Sequence, residues 1–216
     1  MSVTNIVFTD FKIIGLKEGW ENFKGPLFYS LLGAEPEGHP PIKVEVICFE
    51  EVKKQMQIFK VRNGSRIVAS AIWQTYRKHG KVVNSFRIID LSLMPLIETV
   101  GLKQRSTANV VFADFEIAGL KDFKEKTYFT LKEASPEKDC PPLKVTCVAF
   151  EEIIKQINLL KVKNGSRVTA SARWQTFVKD GGIMDSYKIT NIYPMPEQAK
   201  SELNNKVDIE SDLDLL

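Results

Sequence analysis

Phe49–Tyr76 reads FEEVKKQMQIFKVRNGSRIVASAIWQTY, and it returns at Phe150–Phe177 as FEEIIKQINLLKVKNGSRVTASARWQTF. The two strings stand a constant 101 positions apart, without a gap. Upstream, NIVFTDFKIIGLK at Asn5 recurs as NVVFADFEIAGLK at Asn109. A unit of about 100 residues exceeds the roughly 20–50 residues of a solenoid repeat. It has the size of a small domain with its own core. The chain therefore reads as one domain written twice, and each copy shows which residue types the other retains.

Within a copy the pattern switches period once. Ile42–Phe49 alternates, with Val44, Val46 and Cys48 on one face and Lys43, Glu45, Ile47 and Phe49 on the other. The second copy sets Val145, Cys147 and Ala149 against Lys144, Thr146, Val148 and Phe150. Over Glu50–Phe59 the apolar spacing becomes helical, through Val52, Met56 and Phe59, matched later by Ile153, Ile157 and Leu160. Glu50-Glu51 and Glu151-Glu152 sit where a helix start favours negative charge. Asn63-Gly64 and Asn164-Gly165 supply residues that tolerate positive φ after the helix. Long strands are expected over Arg66–Tyr76 and about Val82–Leu91, then over Arg167–Phe177 and Ile183–Ile192. Asn5–Leu16 and Leu27–Leu32 read as two earlier strands. Five strands with one helix between the third and fourth is the order of the OB-fold, a small Greek-key barrel. The fold class read here is all-β, two tandem OB-folds and an acidic C-terminal tail. The boundaries are 1–94 for the first domain, 95–108 for a linker, 109–196 for the second and 197–216 for the tail.

Composition narrows the function. Of 216 residues, 44% are hydrophobic, as in a globular protein. The start, MSVTNIVFTDFK, has no basic stretch ahead of a long apolar run, so no secretory signal is expected. No apolar segment approaches the roughly 18 residues that span a membrane. Cys48, Cys140 and Cys147 form no CxxC pair, and the two repeat equivalents, Cys48 and Cys147, read as small buried thiols in a reducing cytoplasm. Charge is divided unevenly. Residues 1–100 carry 13 basic and 10 acidic side chains, residues 101–196 carry 15 and 11, and residues 197–216 carry 2 and 6. The body is basic and favours a polyanion; the tail would repel one. Simple solubility explains the charge equally well.

Catalytic chemistry has little to stand on. His39 and His79 have no counterparts in the other copy, and no phosphate loop, ligand cluster or nucleophile elbow appears. No catalytic residue, cofactor or metal is expected. The positive signal is aromatic and basic residues on outward strand faces. Phe49 and Phe150 point away from the Val/Cys face, with Lys43 and Lys144 on the same side. Strand parity puts Trp73 and Trp174 in the core and makes Tyr76, Phe177 and Arg173 outward. Phe86 and Tyr187 on the last strand are also expected outward, and Lys78 and Lys179 border the turn. Bases stack on flat side chains for about 1–3 kcal/mol each, while Lys and Arg neutralise phosphates without reading sequence. The alternative for the same aromatics is an interface between domains or chains.

The stretch Val148–Thr176 resembles bacterial single-stranded DNA-binding proteins of the SSB family. The matches to that family's V-x-F, K-G-S-x-V and L-x-T elements are Val148, Phe150, Lys163, Gly165, Ser166, Val168, Trp174 and Thr176. An Asn separates Lys from Gly, and Trp replaces Leu. Copy one matches through Ile47, Phe49, Arg62, Gly64, Ser65, Ile67, Trp73 and Thr75. The resemblance implies base stacking by Phe49 and Phe150. Other family tryptophans fall at Lys43 and Lys144 and near Lys78 and Lys179. It also implies an acidic tail with an apolar tip that recruits replication and repair enzymes. Here the tip is DIESDLDLL, with Asp208, Ile209, Asp212, Leu213, Asp214, Leu215 and Leu216, and it lacks the family's Pro-Phe end. Family members with two barrels per chain dimerise, which implies a homodimer, acting in a bacterial nucleoid or a phage or mobile-element context. The expectation is a non-enzymatic protein that coats single-stranded DNA. Its rivals are a primosome-type accessory working through protein contacts and an oligosaccharide-binding tandem domain.

Overall fold

The structure is a computed structural model and describes residues 3–35, 39–94, 106–121, 125–136 and 140–195. Copy one supplies β1 (Val3–Ile14), β2 (Leu27–Leu32), β3 (Lys43–Cys48), α1 (Glu50–Ile58), β4 (Arg66–Lys78) and β5 (Lys81–Leu93). Copy two supplies β6 (Thr107–Lys121), β7 (Lys126–Glu133), β8 (Lys144–Phe150), α2 (Glu151–Leu159), β9 (Arg167–Lys179) and β10 (Gly182–Pro194). In copy one, β1 pairs with both β2 and β4, β4 pairs with β5, and β5 meets β3 in parallel. With β2 paired to β3, the sheet closes on itself. Copy two repeats these connections. This is the OB-fold order, and the all-β reading stands. β6 starts at Thr107, inside the stretch 95–108 expected to be linker.

The barrels are joined by their first strands. β1 and β6 pair antiparallel from Val3↔Ala113 to Thr9↔Thr107, which merges both barrels into one ten-stranded sheet. Ile6 pairs with Val110, its own counterpart in the repeat, so a pseudo-twofold axis passes between them. Side chains obey the same symmetry. The Thr75 hydroxyl donates to the Pro141 carbonyl and the Thr176 hydroxyl to the Pro40 carbonyl, each at 2.5 Å.

Trp73 and Trp174 are buried as expected, but each is covered by the other barrel. Their rings stack at 6.1 Å with 13° between planes. Phe86 lies 5.7 Å from Trp174, and Tyr187 lies 5.6 Å from Trp73. The expectation that Phe86 and Tyr187 face outward is therefore wrong: they are 8% and 4% exposed. The cause is register. β5 runs parallel to β3 with Phe86 opposite the buried Val46, and Tyr187 sits opposite the buried Cys147. The sequence VVNSFRIIDLSL alternates too weakly to reveal that parity, and a bulge interrupts the β4–β5 ladder at Ser70/Ala71. Truncating one seam tryptophan to alanine would cost about 3–5 kcal/mol. The buried thiols fit their sequence reading: burial pushes Cys48 up to about 12 and Cys147 also upward, far from a reactive thiolate.

The indole N–H groups of the seam have different acceptors in the two copies. Trp73 Nε1 donates to Asn84 Oδ1 at 3.1 Å, and Trp174 Nε1 donates to Asp185 Oδ1 at 2.8 Å. Desolvation in the cleft between the barrels pushes the Asp185 carboxyl above its ordinary value, partly offset by the indole bond. A carboxyl raised by folding contributes stability that is fully present below its unfolded pKa and lost as pH rises through its folded pKa. Asp185→Asn keeps an acceptor for Trp174, as copy one does with Asn84, and removes the ionisation. Thermal melts should show the variant's advantage over the native chain growing as pH rises above about 4, the ordinary carboxyl range. A stability difference independent of pH would contradict this account.

Candidate nucleic-acid interface

β3 ends at Cys48 and α1 begins at Glu50, which places Phe49 at the helix N-cap with an extended backbone, φ −112° and ψ −174°. Phe150 has the same position before α2, at φ −106° and ψ 175°. An N-cap favours Ser, Thr, Asp or Asn, whose side chain bonds a free helix N–H; lacking that bond costs about 1 kcal/mol. Neither phenylalanine makes one. The chain accepts this defect twice, and both rings stay in solvent, 41% and 42% exposed. Local rules are broken in this way most often at functional sites.

The neighbouring strand adds a second ring to each. Phe28 on β2 faces Ile47 across the ladder, diagonal to Phe49 at a spacing of about 7–8 Å. Phe28 is the more open ring, 66% exposed. In copy two, Tyr128 faces Val148 and lies diagonal to Phe150. Sequence reasoning missed Phe28 and Tyr128. The signal was available in the alternation of Leu27, Tyr29 and Leu31 with Phe28, Ser30 and Leu32, the first set buried.

Cations border both pairs. Lys126 sits opposite Phe150 in the ladder, with Nζ 5.6 Å from the Tyr128 ring centroid. Lys188 Nζ stands 4.7 Å from the Phe150 ring centroid. Such contacts attract by about 0.5–1 kcal/mol at exposed sites. Arg87, the counterpart of Lys188, lies between Ile47 and Ile72 in register, and its Nε is buried without a hydrogen-bond partner. The sequence reading names none of Lys126, Lys188 and Arg87: the wrong parity of β5 and β10 hides Arg87 and Lys188, and Lys126 lies on β7 beside Tyr128, a strand whose outward face was not read.

The other sequence candidates are spread along the same outer surface. Arg173 is exposed and faces Lys188 across the β9–β10 ladder. Tyr76 is exposed and Phe177 is half-buried, both farther along the hairpins, whose ends carry exposed Lys78 and Lys179. Lys43 and Lys144 are exposed at the starts of β3 and β8. Six residues of strand separate each from its phenylalanine, about 20 Å. The tail positions Asp208, Ile209, Asp212, Leu213, Asp214, Leu215 and Leu216 lie outside the described residues.

No family model matches the chain, and no curated protein does. Among solved structures it is similar to the mitochondrial single-stranded DNA-binding protein Rim1 of S. cerevisiae, in two crystal structures, at 18% identity and a TM-score of 0.35 in each. The likeness covers 40% of this chain and 92% and 93% of those chains.

The repeated NGSR turn, by contrast, is a latch within each barrel. Asn63 Oδ1 accepts the Leu16 N–H at 2.9 Å while its Nδ2 donates to the Leu16 carbonyl at 2.8 Å. Asn164 accepts the Leu120 N–H at 2.7 Å. Arg66 and Arg167 grip Asp10 and Asp114, the left-handed bulge residues of β1 and β6, with φ 63° and 66°. These residues recur because both barrels need the same corner tied. Asn63→Ala removes both bonds and should lower chemical-denaturation stability by about 2 kcal/mol. An unchanged unfolding midpoint would show that the turn holds without the latch.

Proposed function

We propose that this chain is a non-enzymatic protein that binds single-stranded DNA with little sequence preference. The observation that carries the proposal is the exposed N-cap phenylalanine of each barrel, paired with a second exposed ring and flanked by cations. Unpaired bases offer flat faces to such rings, whereas a duplex keeps its base faces stacked away. The cations neutralise phosphates, which every sequence has alike. Rings and ammonium groups dominate this surface, so it has little means of discriminating one base from another. The sequence resemblance around Val148–Thr176 points the same way.

Two barrels per chain, each with its own pair of rings, suit a strand that wraps around the molecule, and a homodimer would offer four such faces. The acidic segment from Asp208 to Leu216 would stand off from DNA by its charge. Its alternating acidic and apolar residues suit docking onto replication or repair proteins.

Phe49→Ala with Phe150→Ala should weaken poly-dT binding at least tenfold at fixed salt, since two stacked bases at about 1–3 kcal/mol each are lost. Unchanged affinity in a fluorescence titration would remove both residues from the interface. Deleting residues 208–216 should leave poly-dT affinity intact or raise it, because the segment is acidic. A large loss of affinity on deletion would overturn its partner-docking role.

A further inference from the structure

The two barrels carry different chemistry at matched positions of this face. Register fixes the matches: Phe28 and Arg87 both meet Ile47 on β3, as Tyr128 and Lys188 both meet Val148 on β8. On this face barrel two has Lys126, Lys188 and Arg173 around the Tyr128–Phe150 pair and Lys144 at the far end of β8. The equivalent positions of barrel one hold Pro26, Arg87, Ile72 and Lys43. An acid, Glu45, replaces Thr146 on that side. Four cations and no acid thus oppose two cations and one acid. Among the described residues, ammonium groups stand over the rings of barrel two alone.

Barrel one differs in the opposite sense as well. Its second ring is the apolar Phe28 in place of Tyr128, with two-thirds of its surface open against two-fifths, 66% and 40%. Stacking on such a ring is insensitive to salt, whereas each phosphate neutralised on a single strand adds about 0.7 to the slope of log affinity against log salt.

Resting on the single-strand reading above, we propose that the barrels divide the work of holding one strand. Barrel two is the electrostatic seat: it takes a short strand by itself and sets the salt dependence. Barrel one is a stacking extension that adds affinity to strands long enough to reach it, with little salt dependence of its own.

The test is an anisotropy titration of the full chain with labelled oligo-dT of about 8 nucleotides, enough for one barrel, and of about 30 nucleotides, enough for both. Each is run at about 50 mM and about 200 mM salt. Tyr128→Ala with Phe150→Ala should weaken the short oligonucleotide at least about tenfold, and Phe28→Ala with Phe49→Ala less than about twofold. The latter pair should still weaken the long one at least about fivefold. All four residues lie outside the buried core, with 40% or more of their surface open, so the fold survives their truncation. Charge variants give an independent reading: Arg173→Ile with Lys126→Gln should lower the salt slope by about 1.4, and Ile72→Arg should raise it by about 0.7. Equal losses from the two alanine pairs on the short strand, or a salt slope indifferent to the charge variants, would overturn the division of labour. If the native chain binds neither oligonucleotide, the single-strand reading itself falls.

Discussion

The antiparallel pairing of β1 with β6 is the constraint on which the rest depends. Because Ile6 meets Val110, its own counterpart, every other contact between the barrels follows by symmetry. Trp73 must then face Trp174, and Thr75 and Thr176 must reach the prolyl carbonyls opposite them. The seam they form is an aromatic core shared by two barrels, neither of which buries its tryptophan alone. The two outer faces are consequently parts of one body with a fixed relation. Under the proposed function, that fixity would let a single flexible strand engage both without the entropy cost of first ordering two loosely tethered domains.

The repeat also separates what a barrel needs from what its surface does. Residues retained in both copies include the latch, Asp10 with Arg66 and Asp114 with Arg167, and the small core residues Ala69, Ala71, Ala170 and Ala172. They are required by the closure of the barrel. The N-cap phenylalanines are retained without such a need, since a capping side chain would serve the helix better. On the outer face the copies differ in charge, with Pro26 against Lys126, Ile72 against Arg173 and Glu45 against Thr146. Packing does not restrict those positions, so their chemistry was free to diverge.

Much of the fold was legible because local pattern determined it. Alternation in Ile42–Phe49, helical spacing in Glu50–Phe59 and the Asn-Gly turn together specify the strand–helix–strand passage that fixes the OB order. The outward position of Phe49 and Phe150 followed from the same alternation. Phe86 and Tyr187 were misplaced because β5 and β10 lack clean alternation and their register is set by a parallel partner distant in sequence. That error hid Arg87 and Lys188, which occupy the outward positions next to them. The seam was invisible for a related reason: Trp73 and Trp174 read correctly as buried, but local periodicity does not say against what. Only the long-range pairing of β1 with β6 supplies the answer.

The central claim is that these paired faces hold unpaired bases, and the most direct measurement is a fluorescence titration of the native chain with poly-dT and with duplex DNA at two salt concentrations. The account predicts tight poly-dT binding that weakens but persists at the higher salt, because stacking remains when phosphate contacts are screened, together with much weaker duplex binding that salt abolishes. Equal affinity for poly-dT and duplex, both lost together as salt rises, would mean that the rings do not stack bases and that charge alone acts at this surface.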